Sequence, residues 1–399
     1  MEKTVCELFA GVGGFRLGLE RASSEWKTVW FSQWEPGKKN QWAHNCYVKH
    51  WQDIDENTGI DIAGVDKNRI PDHNLLVGGF PCQDYSVARP LPGSKGIIGK
   101  KGVLWWQIKD TLAIKKAPFA LFENVDRLLK SPANQRGRDF GVILSCLSSL
   151  GYSAEWRVVN AADYGAGQRR RRVFIFAYKD NTKYSEEMNK FSPDDIIMSK
   201  GFFAKSFPVE QKISINTTSI DYTDIPKVSD KFEYLFKNAG YMKNGKIYTS
   251  NVIPIFEEAI KLKIIIEPIV DEKYFLGDNL EKWKYLKGSK HISRTSKNGH
   301  DYIFSEGAIS FPDSLDLPAR TILTSESSLN RSTHVISDPK TGKYRLLTPI
   351  EIERIQGFDD NWTDTGMPEK FRYFCMGNAL VVQMITRMGK VLNEVFENE

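Results

Sequence analysis

Three stretches of the chain carry residue types that could do chemistry together: Gly79-Phe80-Pro81-Cys82-Gln83, Phe122-Glu123-Asn124-Val125 and Gln168-Arg169-Arg170-Arg171-Arg172. Cys82 follows the apolar run Leu75-Leu76-Val77 and two glycines. A lone cysteine is more often a small core hydrophobe than a nucleophile. Here a Gly/Pro-rich context at the end of a strand shifts the balance, because Pro81 fixes the backbone and the glycines let other groups approach the thiol. Glu123 ends a second apolar run, Ala120-Leu121-Phe122, and a carboxyl group facing the same crevice could donate a proton. The arginines lead into Val173-Phe174-Ile175-Phe176. Alternate side chains of an extended segment share a face, so Arg170 and Arg172 point one way and Arg169 and Arg171 the other. The parts are a candidate nucleophile, a candidate general acid and a row of cations that otherwise forms a solvated, DNA-facing surface.

A fourth stretch suits a ligand rather than a reaction. Val5-Cys6-Glu7-Leu8-Phe9 runs into Ala10-Gly11-Val12-Gly13-Gly14, and a helical pattern follows. Strand, glycine turn and helix start bring a ligand close to backbone N–H groups. The dinucleotide fingerprint would need glycine at position 16, where this chain has Arg16, so NAD and FAD are disfavoured. Glu35, some twenty residues on, stands where a carboxylate accepts from ribose hydroxyls.

These segments need elements to hold them. Short apolar runs alternate with amphipathic stretches over residues 1–178, which predicts an α/β fold, a doubly wound and mostly parallel sheet with its ligands at the carboxyl ends of the strands. From residue 179 to about 335 the sequence becomes polar and irregular, with aromatics and short β-rich runs such as Lys263 to Val270. That reads as a second, smaller β-rich domain. Thr348-Pro349-Ile350-Glu351 looks like a helix start, and a last helix runs from Val381 to Phe396, so residues 336–399 rejoin the first domain.

Composition narrows the classes. The chain has 399 residues, 41% hydrophobic and 12% aromatic, enough for a large core. No run reaches the roughly 20 apolar residues of a membrane span and no secretion signal stands at the start, so a cytoplasmic protein is expected. Five scattered cysteines without paired spacing suggest neither disulfides nor a metal site. The net charge of +5 suits nucleic acid and many other partners alike.

The order Phe9-Ala10-Gly11-x-Gly13-Gly14, Gly79-Phe80-Pro81-Cys82-Gln83, Glu123-Asn124-Val125, Gln168-x-Arg170-x-Arg172 and Gly377-Asn378 resembles the cytosine-C5 DNA methyltransferase family of bacterial restriction-modification systems. The resemblance covers about residues 1–178 and 318–399. It implies a Rossmann-like, S-adenosylmethionine-dependent catalytic domain (1–178 plus 336–399), a target-recognition domain (179–335), duplex DNA as substrate, and a monomer with no obligate protein partner, alongside which a cognate restriction endonuclease could be separately encoded.

Carried over residue by residue, Cys82 would attack carbon 6 of a flipped cytosine, Glu123 would hold and protonate N3, and Arg172 with Arg170 would hydrogen-bond O2. S-adenosylmethionine would lie on Gly11, Gly13 and Gly14, with Phe9 against the adenine, Glu35 and Trp34 at the ribose, and Asp61-Ile62 at the adenine edge; Asp53-Ile54 is the competing register. Pro81, Leu104 (in Gly102-Val103-Leu104) and Asn378 would complete that pocket, although Ala379 stands where the family has Ser. Residues 83–102 would close over DNA as a lid, with Gln83 and Ser86 touching it. Gln168, Lys284, Arg294, Arg320 and Arg331 are further expected DNA contacts, Lys284 and Arg294 within the basic stretch Lys282–Lys297. Pro318-Ala319-Arg320-Thr321 resembles the motif that organises the recognition region. The related tRNA cytosine methyltransferases usually carry Pro-Pro-Cys and Cys-Phe-Thr, and a silent DNA-binding regulator would lose Cys82, Glu123 or Arg172; neither pattern matches this chain.

Overall fold

Period-two alternation in the apolar runs decides the architecture. Val5, Leu75, Val77, Phe119, Leu121, Phe174 and Phe176 fall in one buried cluster, and Cys6, Leu8, Leu76, Ala120, Phe122, Val173 and Ile175 in another. Strands whose two faces are both apolar must be covered on both sides. In the computed structural model, which describes residues 1–52, 58–80, 103–210, 214–296 and 299–399, they are. Strands β1 (Thr4–Leu8), β2 (Lys27–Ser32), β3 (Leu75–Gly79), β4 (Phe119–Val125), β5 (Tyr152–Asn160), β6 (Arg171–Lys179), β7 (Asn216–Ser219), β8 (Ala239–Lys243) and β9 (Lys246–Ser250) form one sheet, ordered β2-β1-β3-β4-β6-β5-β8-β9-β7. The half formed by β2, β1, β3 and β4 is parallel. From β4 onward each strand is antiparallel to its neighbour. Helix α1 (Gly14–Ala22) and the last helix (Val382–Asn398) pack on the first cluster, α3 (Val103–Lys115) and α4 (Arg138–Ser149) on the second. Helix α2 (Trp42–Trp51) stands at the edge of the parallel half.

The sheet does not stop at residue 178. β8 pairs with β5, so the chain out to Ser250 extends the sheet of the catalytic half. Gly240 makes this passage possible: a Cβ there would sit 2.0 Å from the Trp156 ring of β5. The β-rich reading of residues 263–270 also changes. Leu262–Ile265 is a short helix, because Leu262 and Ile265 are buried three residues apart, the spacing of a helix face, in the cluster that holds Ile352 and Ile355. The expected start at Thr348 is a complete capping box with Glu351. No helix among the described residues is long and apolar enough to cross a membrane.

A buried polar network fixes the glycine loop to this frame. Gly13 opens α1 at φ 88° and offers no side chain to cap it. Glu7, at the end of β1 and fully buried, supplies an acceptor instead: the Arg16 N–H in the first turn favours its carboxylate, and Tyr47 Oη donates to it at 3.0 Å. Arg16 pairs with Glu20 at 2.9 Å and lies 4.6 Å from the Trp51 ring centre, while Trp51 Nε1 donates to Glu20 at 3.0 Å. A Cβ on Gly13 would lie 2.2 Å from that indole. Strand, loop and two helices are thereby closed into one unit.

Burial pushes the Glu7 carboxyl from 4.5 up to about 8, against the pull of Tyr47 and Arg16 and with a small push from Glu20. The folded chain therefore keeps a proton that the unfolded chain releases, and Glu7 costs stability progressively as pH rises between those two values. Glu7→Gln has no such proton. Urea titrations at about pH 5 and about pH 8.5 should show wild type losing stability relative to the variant at the higher pH. Parallel pH profiles of the two proteins would show that Glu7 ionises as freely folded as unfolded.

Candidate active site

The carboxyl ends of β1, β3 and β4 meet at one crevice, and the expected acid lies in it. Glu123, on β4, sits opposite Gly79 of β3, and a Cβ on Gly79 would come within 3.2 Å of Glu123 Oε2. Gly78 is constrained too, with the Leu8 carbonyl of β1 2.8 Å from where its Cβ would be. The glycine pair before the cysteine thus serves close approach: one lets β1 near, the other leaves room for the acid. Arg172 Nε pairs with Glu123 Oε1 at 2.7 Å, and both side chains are mostly buried, at 16% and 13% exposure. Arg172 Nη1 donates to the Arg171 carbonyl at 2.7 Å, and Nη2 makes no hydrogen bond among the described residues.

Cys82, Pro81, Gln83, Ser86, the lid segment and the register at Asp53-Ile54 lie outside the described residues. The strand that leads to Cys82 is held by a residue that sequence reasoning passed over. Asn124 Nδ2 donates to the Phe80 carbonyl at 2.8 Å, and Phe80 is buried against Trp105 and Phe122. Its signal was its place between Glu123 and Val125. The other four cysteines are all free and buried. Burial pushes every one of their thiols up, Cys146 to about 11 and Cys46 to about 12, so none is a thiolate near neutrality.

The arginine run divides as alternation predicts: Arg169 and Arg171 are exposed, Arg171 pairing with Asp126 at 3.1 Å, while Arg170 and Arg172 face inward. Arg170, however, does not join Arg172 in the crevice. It is 2% exposed, and its terminal nitrogens donate to the carbonyls of Ile322 and Gly377, each at 3.0 Å. Burial, then the nearby Arg172 charge, pushes its pKa down to about 9, with Glu123 opposing. Its place is that of a clamp on the backbone. Gln168 is likewise turned inward, its Oε1 accepting from the Ile322 N–H at 3.0 Å.

At the cofactor side, Gly11 and Phe9 hold left-handed backbone, at φ 58° and 56°. Gln33 Oε1 accepts from the Gly11 N–H at 2.7 Å, and open space surrounds the position of a Gly11 Cβ. Glu35 is fixed through its backbone, donating to Gln41 Oε1 at 2.6 Å and accepting from Gln41 Nε2 at 3.0 Å. Burial pushes its carboxyl up, the Ala43 N–H and Lys38 pull it back, and Oε2 is buried with no hydrogen-bond partner among the described residues. Trp34 is exposed beside it. Asp61 caps a short turn through the Ala63 N–H at 3.0 Å, with Ile62 buried behind it. Leu104 is half-buried at the start of α3. Asn378 ends the helix Glu369–Asn378 exposed, after Gly377, whose Cβ would lie 2.3 Å from the Thr324 nitrogen. No cluster of His, Cys, Asp and Glu suited to a metal occurs among the described residues.

The expected DNA contacts sort into two kinds. Arg320 is tied to Asp313 at 2.6 Å and to the carbonyls of Ser332 and Thr333, and Arg331 to Glu306 at 3.2 Å and to the carbonyls of Leu286 and Gly288. Both are internal ties. Within the basic stretch Lys287 and Trp283 are buried, Lys287 with its ammonium on the Thr333 carbonyl and its pKa pushed down to about 8 by burial. Lys284 and Arg294 are exposed, Lys284 paired with Glu281 at 2.7 Å and Arg294 lying 4.0 Å over the Phe304 ring.

Comparison with known proteins gives the family. Residues 3–394 match the C-5 cytosine-specific DNA methylase family. The type II methyltransferase M.Sau3AI of Staphylococcus aureus is 54% identical over 397 residues, 98% of this chain and 95% of that one. M.HhaI of Haemophilus parahaemolyticus is 30% identical over 195 residues, 47% of this chain and 55% of that one. Among solved structures, the S. pombe Dnmt2 methyltransferase shares the fold at a TM-score of 0.60 with 16% identity, covering 98% of both chains. The chain belongs to the C-5 cytosine-specific DNA methylase family, as a DNA (cytosine-5-)-methyltransferase of the type II restriction-modification kind.

Proposed function

We propose that Cys82, Glu123 and Arg172 methylate carbon 5 of a cytosine flipped out of a short, specific duplex sequence. The observation that carries this reading is the Glu123–Arg172 pair beside Gly79, three residues before Cys82. The inert state of the other four cysteines supports Cys82 as the nucleophile. Its thiolate adds to carbon 6, the C5–C6 π pair shifts to C4–C5 to make an enamine, and the C4–N3 π pair takes a proton from Glu123 onto N3. Arg172 keeps Nε on Glu123 and offers Nη2 to O2, so one guanidinium orients the acid and holds the base. After carbon 5 has received its methyl group, a water molecule takes the carbon 5 proton, the C–H pair restores the C5–C6 double bond, the S–C6 pair leaves with the Cys82 thiolate, and N3 returns its proton to Glu123. Unstacking the cytosine costs a few kcal/mol, which DNA backbone contacts offset.

S-adenosylmethionine fits the residues present. Glu35 Oε2, without a hydrogen-bond partner among the described residues, suits a ribose hydroxyl, the open side of Gly11 admits a ligand against the loop backbone, and Phe9 and Trp34 offer aromatic faces to an adenine. Asp61, Ile62, Leu104, Pro81 and Asn378 would complete its pocket. Bound there, it supplies an electrophilic methyl group on a sulfonium. The enzyme acts as a monomer in the cytoplasm beside a separately encoded endonuclease, and target recognition resides in residues 179–335, chiefly in the part beyond Ser250 that leaves the sheet.

We further propose that this chain and M.Sau3AI methylate the same duplex sequence. Their 54% identity extends over 98% of this chain, the middle region included, whereas the M.HhaI match covers 47% of it.

Incubation with labelled S-adenosylmethionine and either duplex DNA or tRNA, followed by mapping of the modified base, should give 5-methylcytosine in one short duplex motif. Cys82→Ser should abolish it, and Glu123→Gln should lower kcat by ~10²–10⁴-fold with little change in the KM for the methyl donor. Label in tRNA alone, in adenine, or undiminished in Cys82→Ser would overturn the mechanism. DNA already modified to completion by M.Sau3AI should accept no further methyl groups from this enzyme; full incorporation would mean that the two read different sequences.

A further inference from the structure

Resting on the reading above, we propose that the antiparallel ribbon formed by β10 (Lys290–Thr295) and β11 (Asp301–Glu306) enters the DNA major groove. There it reads base edges with the face that carries His291, Ser293, Ile303 and Ser305. The ribbon pairs Lys290 with Glu306 through Thr295 with Asp301, so directly opposed residues share a face. One face carries Lys290, Ile292, Arg294, Tyr302, Phe304 and Glu306, and its root is packed: Lys290 and Arg331 both reach Glu306, and Arg294 lies over Phe304. The other face carries His291 opposite Ser305, Ser293 opposite Ile303 and Thr295 opposite Asp301, every one of them exposed. Thr295 is bonded to Asp301 at 2.7 Å, whereas His291, Ser293 and Ser305 make no side-chain hydrogen bond among the described residues. Ile303 is 68% exposed in their midst.

A two-stranded ribbon bare on one face is marginal by itself. This one is braced at its root and leaves an isoleucine among free hydrogen-bonding groups on its bare face. Donors, acceptors and one apolar side chain on a narrow ridge suit base edges, including a thymine methyl. Two strands about 4.8 Å apart fit a groove about 12 Å wide. The charge agrees: residues 280–306 hold six Lys and Arg against three carboxylates.

The ribbon is also mounted on the catalytic frame. Arg331 binds the carbonyls of Leu286, Gly288 and Gly307 on either side of it. Arg320 binds the neighbouring carbonyls of Ser332 and Thr333. Residues 319–322 are in turn fixed to Gln168, Arg169 and Arg170, two residues from Arg172. A base read by the ribbon is thereby set at a fixed distance from the cytosine held in the crevice.

The test uses the full-length enzyme on its mapped duplex target and on every single-base-pair variant of that target. His291→Ala, Ser293→Ala and Ile303→Ser should each cut kcat/KM on the target by about 10- to 100-fold and relax preference at one or two positions. Their KM for S-adenosylmethionine should stay unchanged, which shows that the fold is intact. Lys282→Glu, on the exposed helix before the ribbon, should weaken all duplexes alike. Unchanged base preference in all three ribbon variants, a uniform loss on every duplex, or a change only in self-association would overturn the proposal. Failure of wild type to place 5-methylcytosine in duplex DNA would instead overturn the underlying function.

Discussion

One buried guanidinium holds the three working parts of this protein in register. Arg170 leaves the same strand start as Arg172, yet it spends its terminal nitrogens on the carbonyls of Ile322 and Gly377. Ile322 belongs to the segment that carries Arg320, and Gly377 precedes Asn378 at the end of its helix. A guanidinium is suited to this work because its fork donates to two separated carbonyls at once and stays charged even when burial lowers its pKa to about 9. Removing it would leave two buried carbonyls unpaired, at about 1–3 kcal/mol each. Gly377 is the other half of the constraint, since any side chain there would collide with the backbone at Leu323 and Thr324. The motif that looks like a row of substrate-binding cations places one guanidinium on Glu123 and spends another on backbone carbonyls.

The glycine loop depends on the same economy. Its backbone must stay open toward a ligand, so the loop cannot be stabilised by its own side chains. Support comes from beneath: Glu7 serves the first turn of α1, Gln33 takes the Gly11 N–H, and the Trp51 ring fills the space where Gly13 has no Cβ. A carboxyl group enclosed this way prefers its proton, even though the helix N-terminus favours the charged form. Crevice and loop then share β1, whose Leu8 carbonyl touches Gly78 while Glu7 holds the loop.

The sequence made the parallel half of the sheet legible because its strands are buried on both faces and read as unbroken apolar runs. Glu123 and Arg172 were legible because each closes or opens such a run at the same end of the sheet. Partners were not. Gln168, Arg170, Arg320 and Arg331 look from their charge or polarity like surface groups, and only the fold shows that backbone groups and carboxylates elsewhere in the chain consume them. The extension of the sheet through β8 and β9 was hidden for a different reason: five-residue strands of mixed polar and aromatic composition carry little periodic signal, and the glycine that lets β8 pass Trp156 has no pattern of its own. Leu262 to Ile265 misled in the opposite sense, since a run of β-branched residues was read as strand where burial at i and i+3 made a helix turn.

The distribution of charge completes the argument about recognition. A net charge of +5 on 399 residues is small for a protein that must hold and distort a duplex, and several of the cations in the middle region are used internally. Non-specific phosphate attraction is correspondingly limited, so discrimination has to come from shape and from groups that meet base edges. Rigid mounting then matters more than charge. Recognition and chemistry are coupled only if a base-reading element and the Glu123–Arg172 pair move as one body, and the ties from Arg331 through Arg320 and Arg170 to Arg172 are short, buried for much of their length and anchored on backbone atoms. A flexible basic surface would bind DNA as tightly, yet it would not place one chosen cytosine over Gly79.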